Sequence, residues 1–193
     1  MSEFDSNLFL PFCGAIKGNT SANGNKNVAI CYNYGVAWLE KRKYENAKQC
    51  FERCVKLDPR NLGCLYNLSI AFIGLGEMEK AERKLKLILS CWPTYTNAFL
   101  ALAGIKRQAR LGMSQRKDLS GPDIVFLKQI MAEEENLLKK AIQIDSGDST
   151  VRQCLSKFYK EKGNMIKALE YDDFESLPIN SKNRGKGNYL FEN

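Results

Sequence analysis

Apolar and polar positions alternate at helical spacing along most of the chain, and between residues 28 and 95 the same pattern is written twice at an interval of 34 residues. Laying 28–61 over 62–95 puts Tyr34 on Leu68, Gly35 on Ser69, Trp38 on Phe72, Ala47 on Ala81, Phe51 on Leu85 and Pro59 on Pro93. Each unit reads as two helices joined by a turn. The first helix pair spans 28–41 and 44–57, turning at Arg42 and Lys43; the second turns at Gly76, where glycine most easily takes a left-handed helix end. A period of this length marks a stacked array, because one such unit cannot bury its own apolar face.

Residue size explains the pattern. Gly35 and Ser69 sit one turn before Trp38 and Phe72, and a near-absent side chain there lets the second helix approach closely. Ala47 and Ala81 are the facing small residues, and Phe51 and Leu85 fill the space between one hairpin and the next. Pro59 and Pro93 lack the N–H that continues a helix. In this order of large apolar, small, aromatic, Ala, aromatic and Pro the chain resembles the tetratricopeptide repeat. The resemblance implies an all-α fold, a right-handed superhelical array of helix-turn-helix units, and a non-catalytic role in holding a protein or peptide partner.

The register then slips. A third unit opens at Thr96, with Phe99, Leu102 and Ala103 in place. Beyond it Asp58 and Asp145, Leu68 and Leu155, Phe72 and Tyr159, Gly76 and Gly163, and Ala81 and Ala168 are all 87 apart, which is two periods plus 19. One 19-residue insertion near 113–131 accounts for every pair. Ser120-Gly121-Pro122-Asp123 reads as a turn and a helix start, so a loop is expected at 113–121 and a lengthened helix at 122–144. About four repeats result: 28–61, 62–95, 96–148 and 149–178. In the last, Asp172 and Glu175 stand where earlier units have Phe51, Leu85 and Cys54, Ile88. A charge buried there costs several kcal/mol unless paired, so the array is expected to end at this unit and the chain to be complete.

The flanks differ in character. Leu8, Phe9, Leu10, Phe12 and Ile16 form an apolar segment, and 17–27 reads as a flexible Gly/Asn/Ser linker. The segment is expected to cap the first hairpin, with docking to a partner or lying in the protein's own groove as alternatives. The acidic start, Pro11 and Gly14 fit neither a secretory leader nor a membrane span. Residues 179–193 read as a disordered basic tail in which Tyr189-Leu190-Phe191 could serve as a short docking motif.

Charge and cysteine content narrow the chemistry. The net charge of +7 is local, arising from Lys106, Arg107, Arg110, Arg116 and Lys117 together with the tail. That cluster is the electrostatic footprint of the second reading, an RNA-binding helical repeat using 106–117. Seven cysteines and no histidine read as reduced intracellular thiols, and the cytoplasm is the expected location. Cys50, Cys54 and Cys64 are the candidates for zinc ligands; without a CxxC pair or histidine, buried structural thiols are expected and no metal is assigned. With no histidine for acid-base work and no glycine-rich phosphate loop, neither an enzyme nor a cofactor is expected.

The working surface implied by the resemblance is the concave face lined by the first helix of each unit. Helical spacing puts Tyr32, Val36 and Leu39 there in the first unit, Tyr66, Ile70 and Ile73 in the second, Leu100 and Arg107 in the third, Lys157 and Lys160 in the fourth. Asn33 and Asn67 stand where relatives hold a bound peptide's backbone. The clamp for a chaperone C-terminal carboxylate is missing, because its basic places hold Tyr32, Val36, Asn97 and Ala101. The expected ligand is therefore an apolar or amphipathic segment with an acidic C-terminal flank, anchored on Tyr32, Tyr66, Ile70 and Leu100. A third reading is a subunit of a stable assembly or a self-associating chain: Ile124, Val125, Leu127, Ile130, Met131 and Leu138 give the 122–144 helix more apolar surface than one hairpin needs.

Overall fold

A computed structural model describes residues 22–172, with side chains from residue 27 onward. The described residues form eight helices and no strand: α1 (Ala22–Glu40), α2 (Tyr44–Leu57), α3 (Leu62–Gly74), α4 (Met78–Cys91), α5 (Thr96–Ser114), α6 (Gly121–Ile144), α7 (Ser149–Glu161) and α8 (Met165–Tyr171). Consecutive helices pack pairwise as hairpins, and each hairpin packs on the next through α2 against α3, α4 against α5 and α6 against α7. This is the expected helical repeat array. α1 begins six residues before the expected boundary at 28, for no proline between Pro11 and Pro59 stops it. The apolar segment 8–16, Glu175, Pro178 and the basic tail lie outside the described residues.

Each hairpin closes by setting a small residue of its first helix opposite a larger one of its second. Gly35 faces Phe51 so closely that a Cβ there would sit 2.6 Å from the ring. Ser69 and Leu85 take these two places in the second hairpin, Ala103 and Leu138 in the third, and all four are buried. In the fourth the pair is Ser156 and Asp172, joined by a hydrogen bond from the Ser156 hydroxyl to the carboxylate. Lys160 also reaches Asp172, at 3.0 Å. The charge that would be costly under another hairpin is thus satisfied within its own. The outer side of α8 is nevertheless not polar, since Met165, Ile166 and Leu169 are exposed.

The turns follow the period as well. Gly76 and Gly163 both take φ of 78°, and Arg42, one period before Gly76, is forced to φ of 55°. In the third hairpin the equivalent position is Arg110, and there the helix runs on to Ser114 instead of turning. α6 then starts with a reciprocal cap, in which the Ser120 hydroxyl accepts from the Asp123 N–H and the Asp123 carboxylate accepts from the Ser120 N–H. The connection is shorter than expected, residues 115–120, and the expected long helix is present. Of its surplus apolar residues, Ile130 and Leu138 are buried, while Ile124 and Val125 remain exposed with Phe126.

The expectation of reduced thiols throughout is corrected: Cys54 and Cys64 form a disulfide, their Cα atoms 6.1 Å apart. The reason lies in the repeat. One period later Ile88 and Ala98 hold the same two places where second helix meets following first helix, and all four residues are 0 % exposed. Two cysteines in this tight contact are brought within bonding reach. Among the described residues no cluster of His, Cys, Asp or Glu is arranged to hold a metal.

The strain at Arg42 is testable. A left-handed conformation costs a non-glycine residue roughly 1–2 kcal/mol, so Arg42→Gly is expected to stabilise the fold by about 1 kcal/mol. An unchanged or lowered urea midpoint would show that Arg42 contributes contacts worth more than its strain.

Candidate binding site

The residues expected to line an apolar trough are, for the most part, closed in. Tyr32 is 5 % and Tyr66 3 % exposed, and Leu39, Ile70, Ile73, Leu100 and the amide of Asn67 are buried with them. The cause is aromatic packing within and between hairpins. The Tyr66 ring meets Tyr95, just before α5, edge-on at 5.5 Å, and Tyr32 meets Phe51 edge-on at 6.1 Å. Burial, with Tyr95 beside it, pushes the Tyr66 phenol well above its ordinary range. These tyrosines seal the seam between hairpins. In the N-terminal half Asn33 stays exposed and Val36 half-buried.

The C-terminal half is different. Leu100, Gly104 and Arg107 of α5, Leu138 and Glu134 of α6, and Lys157 of α7 converge on one cleft, which Ala103 and Cys154 also line. About 20 Å³ is enclosed there, room for a methyl group or one water. Small-molecule sites are typically of order 300–1,000 Å³, so this is a dimple for the tip of a side chain. Cys154 is not a nucleophile in waiting: burial raises its thiol to about 11, leaving almost no thiolate near neutral pH.

The cations read as an open basic patch are largely engaged. Lys106 lies 3.0 Å from Glu133 and 3.5 Å from Glu82. Arg107 donates to Glu161 at 3.2 Å, and Arg110 donates to Glu134 at 2.8 Å and to Glu161 at 2.6 Å. Arg116 and Lys117 stand exposed at the α5–α6 connection. Three of the five cations of the expected nucleic-acid patch thus pair with carboxylates of α4, α6 and α7, because α5 packs along α6 and its Arg107 and Arg110 reach Glu161 at the end of α7. Lys160 lies at the α7 edge with Asp172.

The run Glu133-Glu134-Glu135 reads in sequence as a solvated helix face, yet its middle member is buried. Ala47, Ala81 and Ala168 mark the small position of the second helix, and once the 19-residue insertion is subtracted its counterpart in the third hairpin is Glu134. Glu134 is buried, and burial raises its carboxyl despite the Arg110 guanidinium beside it. The signal was available as an acid in an alanine register. Nearby, burial acts to raise the Glu135 carboxyl, but hydrogen bonds from Lys139, Lys162 and the Tyr159 hydroxyl outweigh it and hold it down at about 2.

Comparison with known proteins agrees with the helical-repeat fold. The tetratricopeptide repeat family model matches residues 28–61. Residues 28–61 carry a tetratricopeptide repeat. The chain is 27% identical over 139 residues to Protein IFIT1 homolog B of Homo sapiens, covering 67% of this chain and 25% of that protein. It is 27% identical over 137 residues to interferon-induced protein with tetratricopeptide repeats 3 of Mus musculus, covering 68% and 29%. The chain thus spans about a quarter of the length of these curated relatives. A thermophilic TPR protein of Thermus thermophilus superposes with a TM-score of 0.62 at 20% identity, over 77% of this chain and 70% of that one, which establishes the fold. Tetratricopeptide-repeat proteins are generally non-catalytic, and their fold points to protein-protein contact or scaffolding. Among the described residues no helix is long and apolar enough to cross a membrane.

Two outcomes follow from the charge cluster. Arg110→Met strands Glu134 and is expected to cost about 3–5 kcal/mol; adding Glu134→Ala, the residue of the other hairpins, should recover most of it in denaturant unfolding. A double variant no more stable than the single would show that the pair is not the cause. Glu135, held below its ordinary 4.5 when folded, stabilises the fold fully above that value, and the contribution is lost as pH falls toward 2. Glu135→Gln should therefore melt lower than wild type near neutrality and the gap should close on acidification; a gap constant with pH would be the contrary result.

Proposed function

We propose that the chain is a non-catalytic interaction module, an adaptor or scaffold, that holds a partner segment along the face shared by α5 and α7. The observation that carries this reading is the convergence on one cleft of Leu100, Arg107 and Lys157, three of the residues expected on the concave face. The cleft has apolar walls from Leu100, Ala103 and Leu138. Beside it Arg107 and Arg110 pair with Glu161, and Arg110 also with Glu134, while Lys157 adds a further cation to the lining.

A segment with one apolar side chain for the dimple and an acidic residue beside it for Lys157 and the Lys160 edge suits that surface. Asn33 and Val36 extend the contact on the first hairpin. Tyr32, Tyr66 and Ile70 serve the seam and not the ligand, which moves the proposed contact from the N-terminal to the C-terminal half of the array. A chaperone carboxylate does not fit, for want of the basic pair on the first and third hairpins. The cytoplasm remains part of this reading. The Cys54–Cys64 disulfide is sealed at 0 % exposure, and thiol exchange needs access to a sulfur.

A second reading rests on the exposed Ile124, Val125 and Phe126 at the start of α6: an assembly subunit that buries them against another chain. Selection of random peptides on the full chain separates the two. Enriched sequences should pair an apolar residue with Asp or Glu, and Lys157→Glu should weaken them at least about tenfold, roughly 1.4 kcal/mol. Selected peptides that bind Lys157→Glu as tightly as wild type would refute the cleft. Sedimentation showing an oligomer that Val125→Ser with Phe126→Ser abolishes would favour the assembly.

A further inference from the structure

α1 shows the outside a stripe that every later first helix hides. Counting by the repeat, positions 30, 34 and 37 of α1 become Cys64, Leu68 and Ala71 in α3, Ala98, Leu102 and Ile105 in α5, and Val151, Leu155 and Phe158 in α7. All nine of those residues are buried, since the second helix of the preceding hairpin packs on each of these first helices. In α1 the same stripe is open: Ile30 is 52 % and Tyr34 63 % exposed, and Ala37 is exposed with them. Tyr34, which the repeat aligns with buried Leu68, thus stands open where its counterparts are covered.

We infer that residues 8–16 of this same chain lie on the α1 stripe, in the place a preceding second helix takes in the other hairpins. Three observations select this occupant. Leu8, Phe9, Leu10, Phe12 and Ile16 put five large apolar side chains into nine positions that carry no charged residue, so the segment brings apolar surface to apolar surface and has no ionic group to desolvate. The segment enters α1 from its own N-terminal end, and the five residues 17–21 reach up to about 17 Å. From Ala22, Ile30 and Tyr34 lie only about 12 and 18 Å along the helix axis, so a segment folding back along α1 covers both. The other apolar surface at an end of the array, Met165, Ile166 and Leu169 of α8, is a poorer match. It lies beside Asp172, which stands where Phe51 and Leu85 receive the following helix and is itself bound to Ser156 and Lys160.

The contact is intramolecular and separate from the α5–α7 cleft. Hydrogen exchange of the full chain, read by mass spectrometry, tests it with the triple substitution Phe9→Ser, Leu10→Ser and Phe12→Ser and with Tyr34→Ser. The triple variant should speed exchange of peptides within residues 28–40 about tenfold while those of α3 and α7 keep their protection, which also shows that the array still folds. Tyr34→Ser should speed the same peptides, and combining the two sets should add little, since both remove one contact. Unchanged exchange of α1 in the triple variant overturns the inference. So does a triple variant that exposes α5 and α7 instead, which would put the segment in the cleft. α1 protection that rises with protein concentration, together with a dimer in sedimentation, would assign the stripe to a second copy.

Discussion

Every hairpin in this molecule depends on the nesting of one small side chain against one larger one. Gly35 leaves just enough room for Phe51. Where the first helix has Ser69 or Ala103 instead, the second carries the smaller Leu85 or Leu138. Interiors are packed to the density of organic crystals, so the two members must trade volume, and the interval of 34 residues is the distance along the chain at which this trade recurs. The fourth hairpin keeps the geometry but changes the chemistry, replacing the apolar contact by a hydrogen bond between Ser156 and Asp172.

The third hairpin departs from the rule and the rest of the surface follows. Glu134 occupies the place of an alanine, and a carboxylate there demands a cation. Arg110 supplies it from a position where other hairpins have already turned, which requires α5 to continue past that point. Lys106 and Arg107, one turn earlier on α5, pair with Glu133 and Glu161, and a cleft remains between α5 and α7. A single unusual residue thus ties together Arg110, the continued α5 and one wall of the cleft.

The two ends of the array are not alike. α8 closes its own polar position through Asp172, whereas α1 leaves open the stripe that α3, α5 and α7 bury. Among the described residues the difference lies in a satisfied charge on α8, beside its exposed Met165, Ile166 and Leu169, and in an open apolar stripe on α1.

The sequence by itself determined the repeat, its period, the 19-residue insertion and the all-helical fold, because those depend on residue size and chain-local spacing, which any helix obeys before it meets a neighbour. It also placed Leu100, Arg107 and Lys157 on one face. Only the tertiary structure decided whether that face was open. Tyr32 and Tyr66 keep the register that helical spacing gives them, yet Phe51 of the same hairpin closes in Tyr32 and Tyr95, just before α5, closes in Tyr66. Arg110 pairs with Glu134 and Glu161 across 24 and 51 residues, and Cys54 meets Cys64 across a turn. Exposure, charge pairing and sulfur contact are set by the distance between helices, and periodicity along one chain does not encode that distance.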